Sequence, residues 1–230
     1  AHLFASLVAV LVAVGGDHPL VDAPGRFDFD VTPVTGLIFH MSRCGSTLLA
    51  RVAAQDPSVL VLNEPELLNQ LLRRGAVSPG LYRSAVGALI AEVMPDAERV
   101  ILKPPSWHNT YAQLVTAAFP NAHRVVLIRD PVQVLRSLCR QPPAWALNQL
   151  GPARRAGGPA VDQAFLSATA ALIAEGLANL TDLVEQSPVA WRLIDYQTLL
   201  KQPVEVCSWL GAEVTASHAE TEMRYDSKSR

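Results

Sequence analysis

The sequence predicts a three-layer α/β domain, a mainly parallel sheet of about five strands with helices on both faces. Apolar runs of strand length alternate with stretches of helical length along most of the chain. Each run closes on a polar, glycine-containing or proline-containing turn. Such alternation makes successive strands parallel, because right-handed crossovers lay the helices against the two faces of one sheet. The 230 residues, 50% of them hydrophobic, suffice for one substantial core, so residues 1–230 read as a single domain.

The first apolar run, Leu3 to Val14, falls short of the roughly 20 residues a membrane span needs and follows no basic segment. It reads as a buried helix or strand, and no membrane partner is expected. Gly36 to His40 is the first clear strand, Met41 to Thr47 a polar turn, and Leu48 to Ala54 a helix. Asp56-Pro57 stops that helix, and the strand Val59 to Leu62 ends at Asn63-Glu64-Pro65. Helices over about Glu66–Arg74 and Gly80–Met94 lead to the strand Arg99–Lys103, then a helix over about His108–Phe119 and the strand Arg124–Ile128. Asp130-Pro131 opens a helix, since Asp accepts from free N–H groups and Pro tolerates the first turn. Gln141 to Pro159, rich in Pro, Gly and Ala, reads as a loop. A long helix over Val161–Gln186, a strand over Val189–Ile194 and a last helix near Val204–Leu210 complete the chain.

A net charge of −2 supplies no broad basic field, which excludes electrostatic capture of nucleic acid and leaves phosphate binding to a few placed groups. Cys44, Cys139 and Cys207 are an odd set whose spacing suits neither a zinc site nor a disulfide framework, so a reducing, cytoplasmic setting and no metal site are expected. No His/Asn partner pattern accompanies Cys44, which reads as a small packing residue rather than a nucleophile.

Ligands of parallel sheets bind beyond the C-terminal strand ends, where Ser42-Arg43-Cys44-Gly45-Ser46-Thr47 falls. Backbone N–H groups at the helix start, the Ser46 and Thr47 hydroxyls and the Arg43 fork suit phosphate oxygens, and a Gly-Ser-Thr helix start equally suits a plain N-cap. A Walker A loop would carry lysine directly after Gly45, where Ser46 stands. A second constellation is Arg129-Asp130-Pro131 with Ser137 about two turns into the following helix. Arg129 at a strand end and Ser137 on the helix suit one phosphate, or else form a surface pair and a tolerated helix serine.

Together these segments resemble the family of sulfotransferases that use 3′-phosphoadenosine 5′-phosphosulfate (PAPS). The Ser42–Thr47 run looks like the family's 5′-phosphosulfate loop, and Arg129 through Ser137 like its 3′-phosphate motif. Asp195-Tyr196 with Leu199-Leu200, Pro203 and Trp209-Leu210-Gly211 is similar to a stretch late in many members. The resemblance implies a fold related to nucleotide kinases, no obligatory metal, and transfer of a sulfuryl group to a hydroxyl or amine of a small-molecule or peptide acceptor, leaving adenosine 3′,5′-bisphosphate. It implies that Ser42, Arg43, Cys44, Gly45, Ser46 and Thr47 hold the 5′-phosphosulfate, and Arg129 and Ser137 the 3′-phosphate.

Arg43 stands where many small-molecule sulfotransferases carry Lys and where the tyrosylprotein branch and bacterial members carry Arg. Glu64 resembles the general base of the tyrosylprotein branch; a carboxylate at a strand end suits that work, and equally suits capping the next helix. Lys103 resembles the lysine that steadies the transferring group, and equally suits a strand-end charge in water; Lys103-Pro104-Pro105 has proline at the base position of the cytosolic branch. His108 is then the other candidate base, or a packing residue. The Arg-Lys-Gly motif late in cytosolic members has no counterpart after Gly211. An ATP-dependent kinase and a non-catalytic nucleotide-binding protein of the same fold are the other classes.

Overall fold

The computed structural model describes residues 34–142, 163–187 and 190–228. The readings of Leu3–Val14 and of most of the Gln141–Pro159 loop lie outside them. Five strands, β1 (Val34–His40), β2 (Val59–Asn63), β3 (Arg99–Lys103), β4 (His123–Ile128) and β5 (Trp191–Asp195), form one sheet in the order β2-β3-β1-β4-β5. Every pairing is parallel. The strand order reverses around β1, so the turn after β1 opens between the ends of β3 and β4, at the position where such sheets bind ligands.

Successive side chains of the three inner strands, β3, β1 and β4, enter different cores. Leu37, Phe39, Val100, Leu102 and Val126 pack into one, and Ile38, Ile101, Val125 and Leu127 into the other. A strand buried on both faces must be apolar at every position, which is why these segments read as continuous hydrophobic runs. Helices α2 (Glu66–Arg73), α3 (Pro79–Val93) and α4 (Ala112–Ala118) contribute to the first core. Helices α1 (Ser46–Ala53), α5 (Pro131–Arg140), α7 (Tyr196–Lys201) and α8 (Pro203–Trp209) contribute to the second. The long α6 (Gln163–Gln186) supplies Leu180 to the first core and sets Ile173 and Leu177 against the second.

Two departures from the sequence reading have local causes. The segment after β3 begins as a 3₁₀ turn, Ser106–Tyr111, before α4; each residue that precedes a proline is held extended, so no helical turn starts before Pro105. A final helix, α9 (Ala216–Lys228), follows the one expected to be last. Among its described side chains, Ala219 and the half-buried Met223 reach the core, too few to mark an apolar stripe in the sequence.

Helix ends follow their sequence signals. Asp130 accepts from Gln133 N at 2.9 Å with Pro131 at the first position of α5, and Asp195 accepts from Gln197 N at 2.8 Å at the start of α7. Helix α8 ends on Gly211 at φ 92°, with Ala212 N bonded to Cys207 O and Gly211 N to Ser208 O. This left-handed closure needs glycine.

Candidate active site

The turn after β1 holds Ser42 at φ 72°, Arg43 at φ 50° and Gly45 at φ 88°. The Ser42 N–H is taken by His40 Nδ1 at 3.2 Å, so the N–H groups placed for an anion are those further along the turn and at the helix start that follows. Helix α1 begins at once, and no side chain caps its first turn. Ser46 is buried and Thr47 exposed. Gly45 is required twice over: its φ disfavours a side chain, and a Cβ there would lie 2.9 Å from both Tyr196 Cδ2 and Leu199 Cδ2.

Arg129, at the end of β4, lies on the same turn. Its Nη1 donates to Arg43 O at 3.0 Å, while Nε and Nη2 donate to Gln133 Oε1 at 3.1 and 2.9 Å. Two of the five N–H bonds of a guanidinium remain for a further acceptor. The guanidinium stacks 4.5 Å from the centre of the Tyr196 ring. Tyr196 therefore touches both the glycine of the first segment and the arginine of the second. Ser137 is half-buried on α5, and its carbonyl accepts from Gln141 N at 3.0 Å. Gln141 O in turn accepts from the Arg43 guanidinium, whose buried Nε has no partner. The segment carrying Ser137 thus meets the β1 turn at both ends.

Across β1, the ends of β2 and β3 bring Glu64 and Lys103 together. Lys103 is fully buried rather than a strand-end charge in water, and its Nζ bonds Glu64 Oε1 and, at 3.0 Å, Asn63 Oδ1. Burial pulls its pKa below the usual lysine value, against the opposing pull of the Glu64 carboxylate. Glu64 sits at φ 52° with its N–H bonded to Lys103 O at 2.7 Å. It does not cap α2, whose cap position is Pro65. Its side chain is 38% exposed, so the carboxylate is reachable. Among the described residues, non-glycine positive φ occurs only at Ser42, Arg43, Glu64 and Ala76. Three of those four lie in this site, and backbone strain of this kind gathers where function constrains geometry.

His108 is fully buried; its Nε2 pairs with Asn69 Oδ1 at 2.8 Å and its ring stands edge-on to Trp107. Burial, helped by Arg73, lowers its pKa to about 3. Burial pushes the Cys44 thiol up to about 11, so it stays protonated and packs in the core.

Sequence reasoning passed over His40, which ends β1 with 4% exposure and lies 3.7 Å from Glu64 Oε1. A polar residue closing an apolar strand just before the turn was the available signal. Asn63, Asn109 and the contacts of Tyr196 carried none, because only strand order brings them here. Among the described residues no group of three or more His, Cys, Asp or Glu is arranged to hold a metal ion, and no helix is long and apolar enough to cross a membrane.

Several solved structures share this fold. Sulfotransferase STF1 of Mycobacterium tuberculosis matches with a TM-score of 0.59 at 17% identity, over 97% of this chain and 86% of its own. Sulfotransferase STF9 of Mycobacterium avium matches with 0.59 at 15% identity, over 97% and 74%. The sulfotransferase domain from the curacin biosynthetic pathway matches with 0.54 at 16% identity, over 82% and 77%. The chain has the three-layer, P-loop-kinase-like fold of bacterial sulfotransferases. A scan of protein-family models and a search of curated proteins return no match.

Proposed function

We propose that this protein is a sulfotransferase that moves a sulfuryl group from PAPS to a hydroxyl or amine. One observation carries the reading: Tyr196 packs on Gly45 and on Arg129, whose guanidinium bonds Arg43 O, so three separate sequence segments meet at one end of the sheet. The Glu64–Lys103 pair stands one strand away. The residues fit the donor's two ends: the β1 turn and the unpaired Arg43 Nε offer N–H groups to the 5′-phosphosulfate, and Arg129 has two N–H bonds left for the 3′-phosphate, with Ser137 on the helix that follows it.

The donor supplies an activated sulfur whose bond to the phosphate oxygen breaks as the acceptor attacks. Positioning and charge then dominate the protein's task, as in phosphoryl transfer. Lys103, with Arg43, steadies negative charge on the bridging and equatorial oxygens. Glu64 Oε1 is held by Lys103, which leaves Oε2 to take the acceptor's proton. His108 serves this base role less well, since it is sealed from solvent against Asn69 and its basicity is low. A kinase reading is not favoured, because Ser46 occupies the position where a Walker loop has its lysine.

Parallel calorimetric titrations with adenosine 3′,5′-bisphosphate, ATP, and ATP with Mg²⁺ test the donor site. Metal-independent binding of the bisphosphate in preference to ATP is expected; preference for Mg²⁺-ATP would reject the reading. Turnover of sulfur-labelled donor with a panel of hydroxyl and amine acceptors then separates an enzyme from a binding protein.

A further inference from the structure

The β1 turn and the Glu64–Lys103 pair belong to different strands, and His40 joins them. Its Nδ1 lies 3.2 Å from the backbone N of Ser42. A backbone N–H only donates, so Nδ1 carries the lone pair and the proton of a neutral ring is on Nε2. Nε2 lies 3.1 Å from Pro104 O, which only accepts. One tautomer therefore satisfies both contacts. A doubly protonated ring would set an N–H against the Ser42 N–H; burial opposes that charge first, then the neighbouring Lys103. The titratable groups facing His40 are Lys103, Glu64 and His108. The backbone of His40 is held as well, through Asn109 Nδ2 donating to its carbonyl at 3.0 Å.

Ser42 at φ 72° occupies a region that residues with a β-carbon avoid, so its conformation needs external support. The bond to His40 provides it. We propose that His40 is a positioning residue, a neutral imidazole protonated on Nε2 that clamps the Ser42 N–H of the anion turn to the Pro104 carbonyl beside Lys103. It thereby holds the donor-binding turn in register with the proton-accepting carboxylate. The proposal rests on the sulfotransferase reading and extends it.

Three substitutions separate the two contacts. His40→Asn keeps an acceptor near the Nδ1 position and loses the reach to Pro104, His40→Gln does the reverse, and His40→Ala loses both. With the Ser42 bond gone, His40→Ala and His40→Gln should weaken affinity for adenosine 3′,5′-bisphosphate about tenfold, the scale of one hydrogen bond. His40→Asn should bind within about twofold of the parent yet turn over about tenfold more slowly, as expected when registry rather than binding is lost. Bisphosphate affinity unchanged in His40→Ala, or equally weak in His40→Asn and His40→Gln, would overturn the proposal. Nitrogen-15 NMR of the unsubstituted protein gives a readout that survives a folding failure: Nδ1 should be unprotonated, and a proton on it would refute the clamp. An unsubstituted protein that ignores the bisphosphate would instead sink the donor reading, and the positioning role with it.

Discussion

Glu64 keeps a left-handed backbone because both its ends are tied to one residue, its N–H to Lys103 O and its carboxylate to Lys103 Nζ. That double tie turns a strand-end glutamate into a fixed, half-exposed acceptor. In Glu64→Gln, turnover should fall by about 10²–10³-fold while bisphosphate affinity stays within about threefold, since a general base acts on the step and not on donor binding. An equal loss of both parameters would remove Glu64 from the base role. His108 makes a different prediction. Its pKa of about 3 lies far below the unfolded value near 6.5, so the unfolded chain binds the extra proton between those limits and stability drops as pH falls through that window. His108→Gln should flatten this acid limb by a few kcal/mol, read by urea unfolding at several pH values. An unchanged slope would mean that His108 is solvated. The motif residues of this site were legible as a set, while the pairing of Glu64 with Lys103 was not: residues 39 positions apart meet only because β2 and β3 are neighbours.

Two glycines at the scale of elements separate stability from binding. Gly45 sets the angle between the β1 turn and α1, and a side chain there meets Tyr196 and Leu199. Gly45→Ala should cost about 1–3 kcal/mol from the left-handed backbone and the overlap, and should sharply weaken bisphosphate binding in the fraction that folds. At Gly36, inside β1, a Cβ would lie 2.9 Å from the backbone oxygen of Leu210, so only glycine lets the end of α8 approach the strand. Gly36→Ala should lower the melting temperature and leave bisphosphate affinity of the folded protein near that of the parent. Calorimetry on both variants checks the contrast; matching binding losses would show that the two elements are coupled. The late Trp209-Leu210-Gly211 segment thus earns its place by closing α8 against β1, where Thr35 Oγ1 also donates to Leu210 O at 3.0 Å.

At the scale of the whole molecule, Asp56 staples the end of the fold to its beginning. The buried carboxylate accepts from Ser58 N at 3.0 Å, Ser58 Oγ at 2.7 Å and Glu213 N at 2.7 Å, and faces Arg99 at 3.4 Å. Burial raises its pKa, but these donors outweigh burial and leave the group below its ordinary value. A carboxylate with a depressed folded pKa stabilises above its unfolded pKa, and that contribution fades as pH falls below about 4. Asp56→Ala should cost about 2–4 kcal/mol near neutral pH, with faster amide exchange in α9, which follows Glu213 and joins α1 through Glu222 and Arg51. Amide exchange confined to residues 56–58 would show that the staple is local.

Alternating apolar runs, the turn after Gly36–His40 and the Asp130-Pro131 cap determined the number of strands, their parallel course and the loops at their ends, because each depends on residues close in sequence. Strand order was beyond that information. Placing β1 between β3 and β4 depends on which sheet edge each crossover chooses, a matter of packing between distant side chains. Only that order set Tyr196 between Gly45 and Arg129, buried Lys103 against Glu64, and turned His40 from the last residue of a strand into a bridge between two loops.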